Sequence, residues 1–438
     1  MRLCAIVDAY STGRFLAAEY GRHGWDCVHV QSEPEVIPHY RAGFQPGDFA
    51  RNIVHDGSIA RVAAELAALR VRHVEAGAET GVELAESLAA MLGLPGNDPA
   101  RPGARRDKAV MAHHLRRSGL DAPAGICTRS RAAAVTWAVR HGRWPVVAKP
   151  VASAATDHVL VCTDGTSLAR AFDGIVGARN VLGGRNEAVL VQEFLAGTEF
   201  VVNSVSRAGR HHVAEVWRYA KRRVPGGSVV YDFEETLPAA DPMAAVAAGY
   251  VRRALDALGV RSGPAHSELM LTARGPVLLE TGARLPGMVL PQVMDAHFGV
   301  SQVRLAVRAV VDPEGFDRMI GTPYGTRGHL RNVFLISPAE GVLAADDRFR
   351  LLSRLPSFAG MSIDARAGAR LRPTDDLWSS PGHVYLAAED AGALAADHAR
   401  IRELEATVLY PLAAPGTDEG RTAAPPACPA RPGSGVGR

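Results

Sequence analysis

Residues 264–287 read PAHSELMLTARGPVLLETGARLPG. Two apolar strands flank Ala273-Arg274-Gly275. A three-residue hairpin loop takes glycine at its last, left-handed position, and Gly275 supplies it. Such a loop pairs Thr272 with Pro276 and sets Glu268 directly opposite Glu280. Facing Cβ atoms in a ladder lie roughly 5 Å apart, where like charges repel. Two carboxylates on the inner part of an apolar hairpin need a cation between them. Hard oxygen ligands with room for phosphate oxygens favour Mg²⁺ over zinc. The same pair also reads as two side chains facing water, with the repulsion screened. Arg284 follows Glu280 by one helical turn, and Leu285-Pro286-Gly287 then starts a new element. Free N–H groups at a helix start bind anions, so the segment gathers what phosphoryl chemistry requires. His266 points to the same face as Glu268 by strand alternation, either to orient a substrate or as a packed histidine.

Upstream, Lys149 closes the apolar strand Trp144–Ala148. It is either an edge charge or a phosphate partner. The small-residue loop that follows, Ser153-Ala154-Ala155-Thr156-Asp157-His158-Val159, would let backbone N–H groups approach phosphates. The strand Val189–Leu195, including Gln192, Glu193 and Phe194, runs into Ala196-Gly197-Thr198-Glu199. Its backbone could meet an adenine edge and Glu199 could accept from ribose hydroxyls. Taken alone, these residues read first as an ordinary hairpin with a charged tip.

The first hundred residues alternate strand and helix: strands at Leu3–Val7, Cys27–Val30, Asn52–Val54 and Val71–Val74, helices from Ser11 to about His23 and at Ile59–Leu69 and Val82–Leu92. That rhythm predicts a parallel α/β sheet, whose sites gather at the carboxyl ends of the strands. Asp8, Ser11, Thr12 and Gly77-Ala78-Glu79 would share one rim, although Ser11 and Thr12 also suit helix capping. The expected division is an α/β domain over 1–97, a connector with a short helix over 98–122, an α+β lobe over 123–197, a larger α+β lobe with a C-terminal subdomain over 198–412, and a disordered Gly/Pro/Ala/Thr-rich tail over 413–438.

The chain has 438 residues, 47% of them hydrophobic, and a formal charge of +3. Scattered arginines on so small a net charge give no nucleic-acid footprint. Cys4, Cys27, Cys127, Cys162 and Cys428 have no paired spacing, which argues against a zinc site or a disulfide framework and suits a reducing cytoplasm. The N-terminal apolar run is too short for a signal peptide. No stretch of about 18 apolar residues is present to span a membrane.

Taken in order, RDK, VVAKP with its small loop, VQEFLAGTEF and SELML…VLLETGAR resemble the ATP-grasp superfamily over residues 1 to about 390. Within it the chain looks most like the L-amino-acid ligases, the bacilysin-type dipeptide synthetases and dapdiamide-type amide synthetases. The grounds are Ala76-Gly77-Ala78-Glu79, Gly93-Leu94-Pro95-Gly96-Asn97, Ala265-His266-Ser267-Glu268 and Glu280-Thr281-Gly282-Ala283-Arg284. The resemblance implies an N-terminal α/β domain followed by two α+β lobes that clamp ATP. Lys108 and Lys149 would hold phosphates under the loop Ser153-Ala154-Ala155-Thr156. The Gln192–Leu195 backbone, with Glu193 and Phe194, would meet adenine, and Glu199 the ribose. Glu268 and Glu280 would bind two Mg²⁺ ions, with Mn²⁺ as a substitute. Arg284 would stabilise an acyl phosphate, with His266 beside it and Glu79 and Gly287 toward the substrates.

The implied activity is ADP-forming ligation of a carboxylic acid to an amine, one of them an L-amino acid. Small molecules are the implied partners, and a homodimer is left open. Two departures from the family's pattern stand out. Gly282 replaces a common Asn, and Ala155 and His158 replace two loop glycines. The altered loop keeps a non-catalytic ATP-binding protein as an alternative. The shared nucleotide site does the same for a carboxylating or formyl-transferring relative.

Overall fold

The computed structural model describes residues 2–41, 43–153, 157–225 and 228–413. Ala154, Ala155, Thr156, Cys428 and the tail from residue 414 lie outside the described residues.

Strands β1 (Arg2–Val7), β2 (Trp25–Gln31), β3 (Arg51–Val54) and β4 (His73–Ala76) form a parallel sheet in the order β3-β2-β1-β4. Burial on both faces explains the unbroken apolar run at residues 3–7. Helices α1 (Leu16–Gly21), α2 (Pro38–Arg41), α3 (Ile59–Ala68) and α4 (Val82–Met91) belong to this domain. β4 lies two residues beyond the expected strand: Val71 is buried ahead of it, and the ladder with β1 runs on through Glu75 and Ala76.

Helix α5 (Lys108–Arg117) opens on Asp107, whose carboxylate accepts from the Ala109 and Val110 N–H groups. Just before it, Arg105 is 2% exposed. Its guanidinium donates to Glu86 of α4 at 2.5 and 2.6 Å and to the Leu258 carbonyl at 2.7 Å. The connector therefore ties the first domain to the body of the molecule.

Strands β5 (Gly125–Thr128), β6 (Val146–Pro150), β7 (Leu160–Cys162) and β8 (Val189–Glu193) make an antiparallel sheet ordered β5-β8-β6-β7. Helices α6 (Arg131–His141) and α7 (Gly165–Ile175) cover it, packing Ala134, Ala138, Leu168, Phe172 and Ile175 into one core.

The third sheet has eight strands in the order β13-β12-β9-β10-β11-β14-β18-β16. They are β9 (Gly197–Arg207), β10 (Arg210–Arg223), β11 (Val229–Thr236), β12 (Gly263–Thr272), β13 (Gly275–Gly282), β14 (His329–Phe334), β16 (Phe358–Ile363) and β18 (Gly382–Ala388). A two-stranded ribbon, β15 (Gly341–Val342) with β17 (Arg370–Leu371), lies between the last of these in sequence. Helix α8 (Pro242–Leu258) packs its alanine-rich side on β9, β10, β12 and β13. Helices α9 (Pro291–Phe298), α10 (Gln302–Val311), α11 (Pro313–Asp317) and α12 (Ala391–Thr407) complete the molecule. None of the described helices is long and apolar enough to cross a membrane.

The hairpin departs from the expected loop. Thr272 pairs with Gly275, so the turn has two central residues, Ala273 and Arg274, and Gly275 takes φ +105°. A bulge farther along restores the expected pairing. Leu269 faces Leu278 while Glu268 faces Glu280, so Leu279 is the extra residue.

Candidate functional site

One cleft of about 580 Å³ opens between the first domain and the third sheet. Ser11, Thr12, Gly77, Ala78 and Glu79 line one side, from the carboxyl ends of β1 and β4. Beneath them Asp8 is buried, accepting from the Ser32 N–H and hydroxyl at 2.8 and 2.5 Å and from the Thr80 hydroxyl at 2.5 Å. It organises the rim rather than facing the cleft. The other side is built by the third sheet and the loop after β13, with His266, Glu268, Arg284 and Gly287 among the lining residues.

Glu268 and Glu280 are paired across β12 and β13. The Lys108 ammonium lies 2.5 Å from Glu280 and donates to the Ser153 carbonyl at 3.2 Å. Lys149, within β6, is buried beside them. Burial, reinforced by the Lys108 charge, lowers its pKa to about 8, although Glu280, Glu268 and Glu199 pull it back upward. Burial works to raise the Glu268 pKa, but the hydrogen bond and charge of His266, with Lys221 and Arg284, hold it at about 2.

The acid pair fits Mg²⁺ in one specific way. Among the described residues no three His, Cys, Asp or Glu side chains converge as a metal cage. Two facing carboxylates are what Mg²⁺ takes from protein when phosphate oxygens and water complete its shell. Glu280 already has a cation at contact distance, so this corner is built to hold positive charge.

A hydrogen-bond chain runs back from the pair. His266 Nε2 is 3.2 Å from Glu268 Oε1, and Nδ1 is 2.8 Å from Asn203 Oδ1. The Asn203 amide donates to Glu215 Oε1 at 2.7 Å. Because a carboxylate only accepts, Glu215 turns the Asn203 carbonyl toward His266 and fixes the ring.

Arg284 lies outside any helix, and the segment from Ala283 to Leu290 is a loop; α9 begins only at Pro291. The expected helix start at Gly287 is therefore absent, and Gly287 serves as cleft wall. Arg284 Nε donates to Glu79 Oε2 at 2.6 Å, and Arg106 Nη1 donates to Glu79 Oε1 at 2.6 Å. Burial opposes ionisation of Glu79, yet the two arginines hold its pKa at about 2. A Cβ at Gly282 would lie 2.9 Å from Glu79 Oε2 and 3.3 Å from Arg284 Nε. A side chain at this position would therefore press on the Glu79–Arg284 pair.

Two of the expected nucleotide-site carboxylates have protein partners of their own. The Glu193 carboxylate accepts from Arg274 at 2.6 and 2.9 Å and from the Ala124 N–H at 2.8 Å. It ties β8 to the hairpin tip. Glu199 sits inside β9 rather than in a turn, opposite Met270. It accepts from Lys221 at 2.6 Å and from the Tyr231 hydroxyl at 3.4 Å. Phe194 is exposed and Leu195 buried.

In the loop after β6, Ser153 donates to Asp157 Oδ2 at 2.6 Å and His158 Nδ1 lies 2.6 Å from Asp157 Oδ1. His158 has φ +51°, a conformation that favours glycine. Ala154, Ala155 and Thr156 are outside the described residues.

Asn203, Glu215, Tyr219, Tyr231, Glu234 and His383 line the cleft without having been expected. β11 carries Tyr231 and Glu234 in VVYDFEET. Its one available signal was the β-branched and aromatic content at Val229, Val230, Tyr231 and Phe233, which three acidic residues obscure.

Residues 142–292 match the ATP-grasp domain family. Dapdiamide A synthase of Enterobacter agglomerans is 32% identical over 411 residues, covering 92% of this chain and 96% of that protein. The fold is similar to an L-amino acid ligase from Bacillus licheniformis, with TM-score 0.74, 18% identity, and coverage of 92% of this chain and 97% of that one. It is also similar to the biotin carboxylase domain of Hydrogenobacter thermophilus 2-oxoglutarate carboxylase, solved with MgADP and bicarbonate. There the TM-score is 0.60 and the identity 14%, over 88% of this chain and 86% of that one.

Proposed function

Because the chain belongs to the ATP-grasp superfamily, in its L-amino-acid-ligase branch, we propose that it joins an amino acid to a second small molecule through an amide bond, by way of an acyl phosphate. The coarser activity, that of an ATP-dependent amide-bond ligase, goes with the family. The facing pair Glu268–Glu280, with Lys108 2.5 Å from Glu280, carries the finer reading.

Lys108 and Lys149 bind the ATP phosphates, the Gln192–Leu195 backbone meets adenine, and Glu199 meets the ribose. Glu268 and Glu280 would hold Mg²⁺, which neutralises charge on the transferring phosphate. A carboxylate oxygen of the acid attacks the γ-phosphorus and the β,γ-bridging P–O bond breaks, so ADP leaves. The amine then attacks the acyl carbon, loses a proton, and the C–O bond to phosphate breaks. Arg284, aimed at the cleft and held by Glu79, stabilises the oxyanion as charge develops. His266 is fixed beside Glu268 by Asn203 and orients the acid. The cleft volume of about 580 Å³ falls within the range of small-molecule sites, roughly 300–1,000 Å³.

The test is a screen for ADP release over pairs of L-amino acids and small carboxylic acids, with products read by mass spectrometry. ADP release that needs both an acid and an amine, with an amide formed in equal amount, is the expected outcome. Release that needs only bicarbonate would make the chain a carboxylating relative. ATP binding with no release from any pair would make it a non-catalytic binder.

A further inference from the structure

Between α7 and β8 the chain makes a short hairpin, Gly177 to Asn186, to which the proposed reaction assigns no role. Arg179 and Arg185 bridge its two arms. Asn180 builds the turn. Its side-chain carbonyl accepts from the Leu182 and Gly184 N–H groups at 3.1 Å each, an arrangement open to asparagine because its short side chain reaches its own backbone. With the carbonyl committed, the amide nitrogen points the other way. It donates to the Ala152 carbonyl, two residues past β6, at 3.1 Å and to Asn186 Oδ1 at 3.2 Å, which uses both of its hydrogens. The next residue of the hairpin, Val181, donates its N–H to Asp157 Oδ2 at 3.2 Å.

Asp157 is buried, and the same Oδ2 accepts from the Ser153 hydroxyl at 2.6 Å. A buried carboxylate keeps its donors, because losing one costs more than an ordinary hydrogen bond contributes. Ser153 is therefore held through its own side chain by Asp157, and through its neighbour Ala152 by Asn180. Its carbonyl in turn accepts from the Lys108 ammonium at 3.2 Å, while the Val151 carbonyl accepts from the Lys108 backbone N–H at 3.3 Å. That ammonium is the one 2.5 Å from Glu280. A lysine carries its charge on a flexible four-carbon stem, so outside contacts decide where the charge sits. Here they lead back, bond by bond, to the hairpin.

We propose that Asp157 is a positioning residue for the ATP phosphates: held by the hairpin at Val181, it sets Ser153, and the Ser153 carbonyl sets the Lys108 ammonium at the Glu280 corner. The hairpin is a brace for that corner, with Asn180 as its second strut. Asp157 acts through Lys108, not on the nucleotide. Simple Coulomb attraction predicts the opposite sign, since removing a carboxylate near a polyphosphate site should strengthen ATP binding. The proposal rests on the assignment of Lys108 to the phosphates and is tested without turnover.

The experiment is calorimetric titration of the full chain with MgATP, with no acid or amine present. Asp157→Ala should weaken MgATP about tenfold, and Ser153→Ala, which removes only the hydroxyl and cannot unfold the lobe, about fivefold. Asp157→Asn keeps an oxygen for Ser153 and Val181 and should stay within about twofold of wild type. The deciding arm is a double-mutant cycle. In a Lys108→Met background Asp157→Ala should cost less than about twofold, because the residue through which it acts is gone. A general disturbance of the lobe would instead give the same factor in both backgrounds, and that result overturns the proposal. Unchanged or tighter binding in Asp157→Ala and Ser153→Ala overturns it too, as does a loss in Asp157→Asn as large as in Asp157→Ala. Lys108→Met without effect on MgATP would remove the phosphate assignment and this proposal together. Failure of the ligase reading is seen separately, as the absence of amide from every pair in the screen, and does not alter the calorimetric result.

Discussion

Glu79 and Arg284 are 205 residues apart in the chain and 2.6 Å apart in the fold. With Arg106 on its other oxygen, Glu79 joins the first domain, the connector and the third sheet at the wall of the cleft. Arg284 thus reaches the cleft with its direction already fixed.

Glu79→Gln should cost stability, because it leaves two arginines partly buried against a neutral amide. Breaking one side of such a pair costs about 3 kcal/mol. The folded pKa of Glu79, about 2, lies below its ordinary value of 4.5. Its contribution is therefore complete above pH 4.5 and is lost as pH falls toward 2. Urea denaturation of both proteins at pH 7 and at pH 3 checks this. The gap should be full at the first pH and smaller at the second, and a gap that does not change would contradict the assignment.

Lys149 should give ATP binding a pH dependence. Its pKa is lowered to about 8, so the free protein loses this charge as pH rises above that value. Below pH 8 the ammonium is present and ATP affinity should be flat. Above it affinity should fall by up to tenfold per unit until the nucleotide no longer discriminates. Lys149→Arg stays charged and should remove the slope. Lys149→Ala should weaken ATP at least tenfold at pH 7. A pH profile that is the same in wild type and Lys149→Arg would take Lys149 out of the phosphate site.

Glu268→Gln and Glu280→Gln should each lower Mg²⁺-dependent turnover by several orders of magnitude. Among the described residues no cluster of three acidic or histidine side chains could stand in for them. The double variant should be little worse than either single one, because the two carboxylates act as a unit. Each single change should also lower the melting temperature without metal, because Glu280 pairs with the Lys108 ammonium at 2.5 Å and His266, Lys221 and Arg284 hold the Glu268 pKa at about 2, below its ordinary value. Small, additive losses of turnover would mean that the pair decorates a strand and does no chemistry.

The acid pair was legible because alternation and one glycine fix a hairpin to within a residue. The loop is one residue shorter than that reasoning gives, and the bulge at Leu279 compensates, so the Glu268–Glu280 pairing survives. A bulge leaves no composition signal in an apolar strand. The parallel sheet was legible for the ordinary reason that buried strands are continuous apolar runs. The clamp on Glu79 was not, since Arg106 and Arg284 meet it only through tertiary packing. Gly282 read as a departure from the family, and the Glu79 carboxylate that lies against it gave no signal in the sequence. The Tyr231 and Glu234 part of the cleft was missed with β11, where burial of Glu234 inverts the usual rule that acidic residues mark exposed chain.

The loop after β6 should tolerate glycine. His158 holds φ +51°, which costs a non-glycine residue about 1 kcal/mol. His158→Gly, alone or with Ala155→Gly, should keep or raise turnover at saturating ATP. Complete loss of activity in His158→Gly would show that the imidazole, 2.6 Å from Asp157, has a role of its own.

The central claim is that a substrate carboxylate is activated by phosphorylation. The direct measurement uses the acid and amine found in the screen, with the acid's carboxylate oxygens labelled with ¹⁸O. The phosphate released alongside ADP is then analysed by mass spectrometry. One carboxylate oxygen should appear in inorganic phosphate for each amide formed, because the C–O bond breaks after the P–O bond has formed. Amide formation with unlabelled phosphate, or with AMP and pyrophosphate in place of ADP, would contradict the account.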